Sequence, residues 1–122
     1  MNIERVNNEL KKKITEIFNS EIKDPRFNDL GIITVMEVNT SVDLEISKVY
    51  LSFYNSLITG KEAIKIVQNT AGYIKKQLYG KLKIRKVPNL MFILDESLKY
   101  AEHIDALLEQ ANANSSNKEE ID

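Results

Sequence analysis

The sequence contains no cysteine and a single histidine, His103, among its 122 residues. The absence of cysteine excludes a disulfide framework, a thiol nucleophile and a cysteine-ligated zinc site, and one histidine is too few for most histidine-based metal sites. No apolar run is long enough to span a membrane, and the first residues, MNIERVNNELKKK, lack the apolar core of a signal peptide. We therefore expect a single-domain cytoplasmic protein without a metal or cofactor.

The residue patterns that build a catalytic centre are also missing. The chain has neither GxxxxGK[ST] nor GxGxxG, so nucleotide binding has no support in the sequence. His103 has no second histidine or cysteine to join it, which favours a surface or structural role. Asp95 and Glu96 stand at an expected helix start, where acids complement the helix dipole instead of converging on a substrate. The sequence therefore predicts that the protein is not an enzyme.

The sequence does contain one strongly basic segment, residues 61–86. It has eight basic residues and one acid, a net charge of +7, whereas the whole chain has a net charge of −1. A solvated helix usually mixes both signs, so lysines without acids favour contact with an anion. Binding to nucleic acid is the leading interpretation of this segment. The alternatives are a helix face that is merely solvated and contact with a membrane surface. Stacking aromatics are few in this segment, which favours backbone contact with folded RNA or DNA.

The spacing of apolar residues predicts the order helix, strand, strand, broken helix, strand, helix. The first helix covers residues 2–22, with Asn2 as its N-cap, and should stop before Pro25. Lys23-Asp24-Pro25-Arg26 should then form a turn. Strands at 31–38 and 43–54 should pair as an antiparallel hairpin around a turn at 39–41. In the second strand, the apolar alternation slips between Ile46 and Val49, which indicates a bulge or a strong bend there.

The basic segment reads as two amphipathic helices that meet at Thr70-Ala71-Gly72, with Thr59 capping the first and Gly80 the second. Gly72 marks either a close packing contact or a helix break whose free amides favour phosphate. A buried strand at 90–94 and a helix capped by Asp95 come next. The apolar face of that last helix should be Leu98, Ala101, Ile104, Leu107 and Leu108. A three-stranded sheet with helices packed on one face satisfies this order.

Four segments occur together in a specific order and spacing. They are Asp24-Pro25-Arg26, DLEISKVYLSF at 43–53, TAG at 70–72 followed by YIKKQL, and RKVPNLMFILD at 85–95. In this combination the chain resembles the bacterial ribosome-binding factor A family over about residues 1–110. The resemblance implies an α+β fold, a single K-homology-like domain of the second type, in which a helix–kink–helix replaces the GxxG loop. Thr70 is a departure, since the family has Ala there. Residues 111–122 would be a disordered acidic tail.

The resemblance further implies a function without catalysis. The protein would bind the small (30S) ribosomal subunit and its 16S rRNA as a monomer and assist late maturation, including rRNA 5′-end processing, with a role in cold adaptation. The residues expected to bind RNA are Arg26, Lys61, Lys65, Gly72, Lys75, Lys76, Lys81, Lys83, Arg85 and Lys86. The alternative is a protein-interaction module that uses its basic face against an acidic partner. For Arg26, a turn residue paired with Asp24 is as good an interpretation as a phosphate contact.

Overall fold

A computed structural model describes residues 2–20, 22–97 and 104–111. Its elements in chain order are α1 (Ile3–Ser20), a 3-10 helix (Pro25–Asp29), β1 (Ile32–Thr40), β2 (Ile46–Tyr54), α2 (Gly60–Asn69), α3 (Ala71–Leu78) and β3 (Asn89–Leu94). Residues 104–111 are again helical. The expected α+β class and the order of elements are confirmed. The predictions for His103, Leu98, Ala101 and the tail from residue 112 onward lie outside the described residues.

Helix α1 forms because its apolar side chains recur every three or four residues. Val6, Leu10, Ile14 and Ile17 are buried along one side of the helix. The side chain of Asn2 caps the helix, and its Oδ1 accepts a hydrogen bond from the Glu4 amide at 2.9 Å. The helix ends at Ser20, and the Asp24 carboxylate then caps the 3-10 helix that starts at Pro25. The predicted turn before β1 is therefore a short helix.

The sheet has the order β1-β2-β3, with β2 in the centre. Strands β1 and β2 are antiparallel, as predicted, and β2 and β3 are parallel. Val49 pairs with Val38 on one side and Phe92 on the other, and all three are buried. Since residues paired across strands share a face, the buried residues lie on one face of the sheet. The buried side chains of α1, α2 and α3 belong to the same core, so the helices cover that face.

The hairpin differs from the sequence-based expectation in its turn and in its bulge. Strand β1 continues to Thr40 and β2 begins only at Ile46, so the loop is longer than predicted. Leu44 lies in this loop, with φ 60°. It is therefore not part of the strand alternation. Ile46 is on the exposed face of β2, whereas Ser47, Val49 and Leu51 are buried in regular alternation, so the apparent slip before Val49 needs no bulge. The irregularity in register is in β1 instead, between Val35 and Glu37.

Two expectations about apolar burial are wrong. Residues 90–94 do not form a fully buried strand, because β3 alternates between the core and the open face of the sheet and leaves Met91 45 % exposed. Leu107 and Leu108, expected on a packed helix face, are both exposed. Asp95 does act as the predicted cap, since its Oδ1 accepts a hydrogen bond from the Ser97 amide at 2.8 Å.

The glycine that the fold requires is Gly31, which directly precedes β1. Its φ is +70°, and a Cβ there would overlap the carbonyl oxygen of Tyr54. Gly80 directly follows Tyr79, the C-cap of α3, where a capping glycine is expected, but its φ is not positive, so the predicted left-handed glycine cap does not form. Among the described glycines, Gly31 is the one with a positive φ. The backbone tolerates this conformation and this close approach only without a side chain.

Candidate nucleic-acid interface

The basic segment forms α2, α3 and the turn that leads into β3. Helix α2 starts where predicted, with the Thr59 hydroxyl oxygen accepting a hydrogen bond from the Glu62 amide at 3.2 Å. Ala63 and Val67 are buried against the core. This placement leaves Lys61 and Lys65, one helical turn apart, exposed on the outer side of the helix.

The two helices meet at a single residue. Helix α2 ends at Asn69, α3 begins at Ala71, and Thr70 between them has φ −97° and ψ 4°. The Thr70 hydroxyl donates a hydrogen bond to the Val67 carbonyl at 2.7 Å. Gly72 is exposed, and a Cβ there would have no atom within 4 Å. Of the two interpretations of Gly72, the close packing contact is therefore wrong.

Five of the expected RNA-binding residues have charged side chains without an acidic partner in the described part of the chain. They are exposed, and their side chains have no hydrogen-bond or ion-pair partner among the described residues. Two lie on α2, one on α3 and two in the turn before β3: Lys61, Lys65, Lys76, Lys83 and Arg85. A cation that forms no ion pair attracts a phosphate more strongly than one already paired with an acid, subject to screening by salt. These five side chains are the strongest candidates for RNA contact.

Two further lysines converge on the start of the sheet. The Lys75 ammonium donates a hydrogen bond to Asn89 Oδ1 at 2.8 Å. The Lys86 ammonium forms an ion pair with the carboxylate of Glu45. Because the Asn89 amide donates to the Glu45 carbonyl at 2.9 Å, the structure brings Lys75 and Lys86 close together. Glu45 reduces the net positive charge around Lys75 and Lys86. We therefore expect these two lysines to attract a phosphate less strongly than the five cations that have no partner among the described residues. Lys81 is half-buried.

Arg26 is held by its neighbour Asp24 on the 3-10 helix. Its Nε lies 3.1 Å from both carboxylate oxygens, and its Nη2 lies 2.6 Å from Oδ2. These hydrogen bonds, with one from the Arg26 amide, lower the pKa of the Asp24 carboxyl below its ordinary value. The geometry is the turn pairing that the sequence left open. None of these bonds uses Nη1, so that nitrogen has no hydrogen-bond partner among the described residues.

The structure separates two of the expected RNA-binding residues, Arg26 and Lys61, from a third, Lys83. Helix α1, with 18 residues, is roughly 27 Å long. Arg26 follows its C-terminus, and the Leu57 amide donates to the Asp29 carbonyl, which places the Arg26 turn beside the loop that precedes Lys61. Lys83 lies beside the first half of α1, where its amide donates to the Glu9 carboxylate, roughly 16 Å along the helix axis from Ser20. Arg26 and Lys61 therefore lie far from Lys83.

Sequence reasoning missed two basic residues that border this surface. Arg5 and Lys12 of α1 line an open cleft together with Lys83. The charge sum of residues 1–22 is zero, which concealed them. The seven-residue spacing of Arg5 and Lys12 was a usable signal, because it places both on one side of a helix.

Two classes of site find no support in the described part of the chain. No group of three or more His, Cys, Asp or Glu side chains there is placed to hold a metal ion. None of the helices in those same ranges combines the length and apolarity required to cross a membrane.

The fold is similar to that of solved structures of ribosome-binding factor A. The crystal structure of ribosome-binding factor A from Thermus thermophilus matches 77 % of this chain and 97 % of its own, with a TM-score of 0.65 at 21 % identity. Coordinates of the Thermus thermophilus factor fitted into a cryo-EM map of a 30S complex match 74 % of this chain and 91 % of theirs, with a TM-score of 0.59 at 22 % identity. At these identities, the likeness establishes the fold.

The sequence establishes the family. Residues 2–108 match the family description Ribosome-binding factor A. The Clostridium botulinum protein of that name is 33 % identical over 113 residues, which cover 93 % of this chain and 92 % of the relative. The chain therefore belongs to the ribosome-binding factor A family, and the resemblance found in the sequence is confirmed.

Proposed function

We propose that this protein binds the small ribosomal subunit through its 16S rRNA and assists late maturation of the subunit. Membership of the ribosome-binding factor A family over residues 2–108 is the observation that carries this proposal. The relative seen in a 30S complex supports the same target. The proposal includes four further consequences of family membership. The protein would take part in processing of the rRNA 5′ end and in cold adaptation, and it would be cytoplasmic and monomeric.

The charged surface indicates the mode of binding. Lys61, Lys65, Lys76, Lys83 and Arg85 give five exposed cations without acidic partners in the described chain. Such groups bind phosphates and fix the position of a protein on nucleic acid, and double-stranded RNA is recognised mostly by its shape and by backbone contacts. We propose that the protein recognises the shape and backbone of rRNA and acts by binding, without catalysis.

Two finer points of architecture are part of the proposal. We propose that α2, Thr70 and α3 form a helix–kink–helix that takes the place of the GxxG loop in a K-homology domain of the second type. The direct passage from Asn69 through Thr70 to Ala71 supports this arrangement. We also propose that residues 1–110 are the binding domain and 111–122 an acidic tail. For Arg26, we propose that Asp24 fixes the guanidinium so that its Nη1 edge can meet a phosphate.

A triple substitution tests the proposal. Changing Lys65, Lys76 and Arg85 to Ala removes three free cations and should leave the fold intact, since all three are exposed. Co-sedimentation with purified small subunits across a salt series should show weaker binding. The slope of log K against log salt should fall by ~0.7–0.9 for each phosphate that the variant no longer binds.

The matched control is Lys13, Lys23 and Lys48 changed to Ala, which removes the same charge outside the basic segment. Equal affinity and slope for the two triple variants would refute an RNA-binding role for the segment. A fall in affinity for intact subunits that is absent with protein-free 16S rRNA would favour the alternative, in which the basic face binds an acidic protein.

A further inference from the structure

The basic surface extends onto α1 at a cleft whose two walls are far apart in the sequence. Arg5, Lys12 and Lys83 line an open cleft of about 650 Å³ between α1 and the turn after α3. All three side chains are exposed and have no hydrogen-bond or ion-pair partner among the described residues. Arg5 and Lys12 lie two helical turns apart on one side of α1, roughly 10 Å along its axis. The cleft therefore brings cations from two distant parts of the sequence to the same place.

The two walls of the cleft are joined by a direct contact. Glu9 lies between Arg5 and Lys12 on α1, and its Oε1 accepts a hydrogen bond from the Lys83 amide at 3.4 Å. This bond holds the turn against the helix and fixes Lys83 opposite the other two cations. Among the residues that line the cleft, Glu9 is the only acid, so the site keeps a net positive charge.

We propose that this cleft is a groove for the RNA phosphate backbone, which continues the basic surface from the turn after α3 onto α1. The inference rests on the proposed function and adds a second set of contacts to it. Asn2 and Asn8 also line the cleft, so Asn amides accompany the Arg and Lys donors. These side-chain types make many of the phosphate and sugar contacts in nucleic-acid complexes.

An acidic protein is a poorer occupant for the same cleft. The apolar residues that line it are Val6 and Ile84. Val6 is 2 % exposed, and Ile84 is half-buried against the core. A protein interface draws most of its affinity from a desolvated centre with apolar or aromatic anchors, which this cleft does not offer. Its exposed hydrogen-bond donors and positive charge instead suit a strand of linked phosphates.

The first test compares two double variants of the full chain on the same helix. Arg5→Ala with Lys12→Ala removes two cations from the cleft, and Lys11→Ala with Lys13→Ala removes two from outside it. Both variants have the same reduction in charge, so long-range attraction falls equally. Salt-series co-sedimentation with purified small subunits should show a slope lower by roughly 1.4–1.8 for the cleft variant, as expected when two phosphates are no longer bound. The control should stay near wild type in slope, and circular dichroism should show both folded.

The second test uses the acid in the cleft. Glu9→Gln keeps an oxygen that can accept the Lys83 hydrogen bond but removes the negative charge, so subunits and protein-free 16S rRNA should bind more tightly. Glu16→Gln is the control, since Glu16 lies on the same helix beside Lys13. If both double variants bind alike and both glutamine variants bind alike, the groove is refuted while the proposed function stands.

Two other outcomes also decide the matter. If the cleft variants change affinity for subunits but not for protein-free 16S rRNA, the occupant is a ribosomal protein and the RNA groove is refuted. If wild-type protein fails to sediment with small subunits at any salt concentration, the proposed function is refuted, and the groove with it.

Discussion

Replacing Gly72 by Ala should stabilise the protein and weaken its binding to RNA at the same time. Gly72 is the second residue of α3, is exposed, and has open space where a Cβ would be placed. Inside a helix, Gly is less favourable than Ala by about 0.5–1 kcal/mol, because its backbone loses more freedom on folding. With no clash to offset this gain, the free energy of unfolding should rise by about that amount. For a domain of this size, Tm should rise by roughly 2–5 °C.

The functional half of the prediction follows from the proposed role of Gly72 in RNA contact. A residue without a side chain lets a phosphate approach the backbone closely, and a methyl group would push it away. Losing a hydrogen bond to a charged group costs about 1.5–3 kcal/mol, which corresponds to a roughly 10- to 100-fold weaker affinity for small subunits. Thermal denaturation and co-sedimentation of the same sample measure both effects.

Gly80→Ala is the control, since Gly80 is also exposed with open space around its Cβ position and lies just after α3. It should bind subunits like wild type. A lower Tm for Gly72→Ala would contradict the open environment seen at this position. A higher Tm with unchanged affinity would show that Gly72 takes no part in the binding surface.

Three further predictions concern Gly31, Arg26 and the C-terminal tail. Gly31→Ala should lower the free energy of unfolding by more than about 2 kcal/mol, because Ala is strained in the left-handed conformation and its Cβ would overlap the Tyr54 carbonyl oxygen. Chemical denaturation measures this change, and a denaturation midpoint equal to that of the wild type would contradict the geometry. Arg26→Lys should keep wild-type stability but weaken subunit binding by about 1–3 kcal/mol, since lysine cannot reproduce the planar fork held by Asp24; equal binding would remove Arg26 from the proposed site. Deleting residues 112–122, which contain three acids, one lysine and no apolar periodicity, should leave Tm unchanged, and a fall of several degrees would show that the tail packs on the domain.

The features that sequence reasoning predicted correctly depend on interactions over a few residues. The caps at Asn2, Thr59 and Asp95 each bond an amide two or three residues away, so residue type and position were enough to find them. The buried stripe of α1 follows from apolar spacing in the same way. Errors arose where a local pattern was extended too far, as with the inclusion of Leu44 in β2 although its backbone has φ 60°.

The glycines show why local patterns were insufficient elsewhere. Gly80 follows a helix and so looked like a cap, whereas Gly31 had no distinguishing neighbour in the sequence. What singles out Gly31 is the carbonyl of Tyr54, which reaches it only after β1 and β2 have paired. The requirement for glycine at that position is therefore a product of strand pairing.

By itself, the sequence determined the family, the class of fold, the helices and strands within a few residues, and the presence of a basic segment. Only the tertiary structure decided which of its cations are available. Lys86 is paired with Glu45, 41 residues away, whereas Arg85 beside it has no partner among the described residues. Likewise, Arg5 and Lys12 join Lys83 across a separation of more than 70 residues. Local structure depends on neighbours in the chain, but the charge on a surface depends on which distant segments the fold brings together, and no sum over a stretch of sequence contains that information.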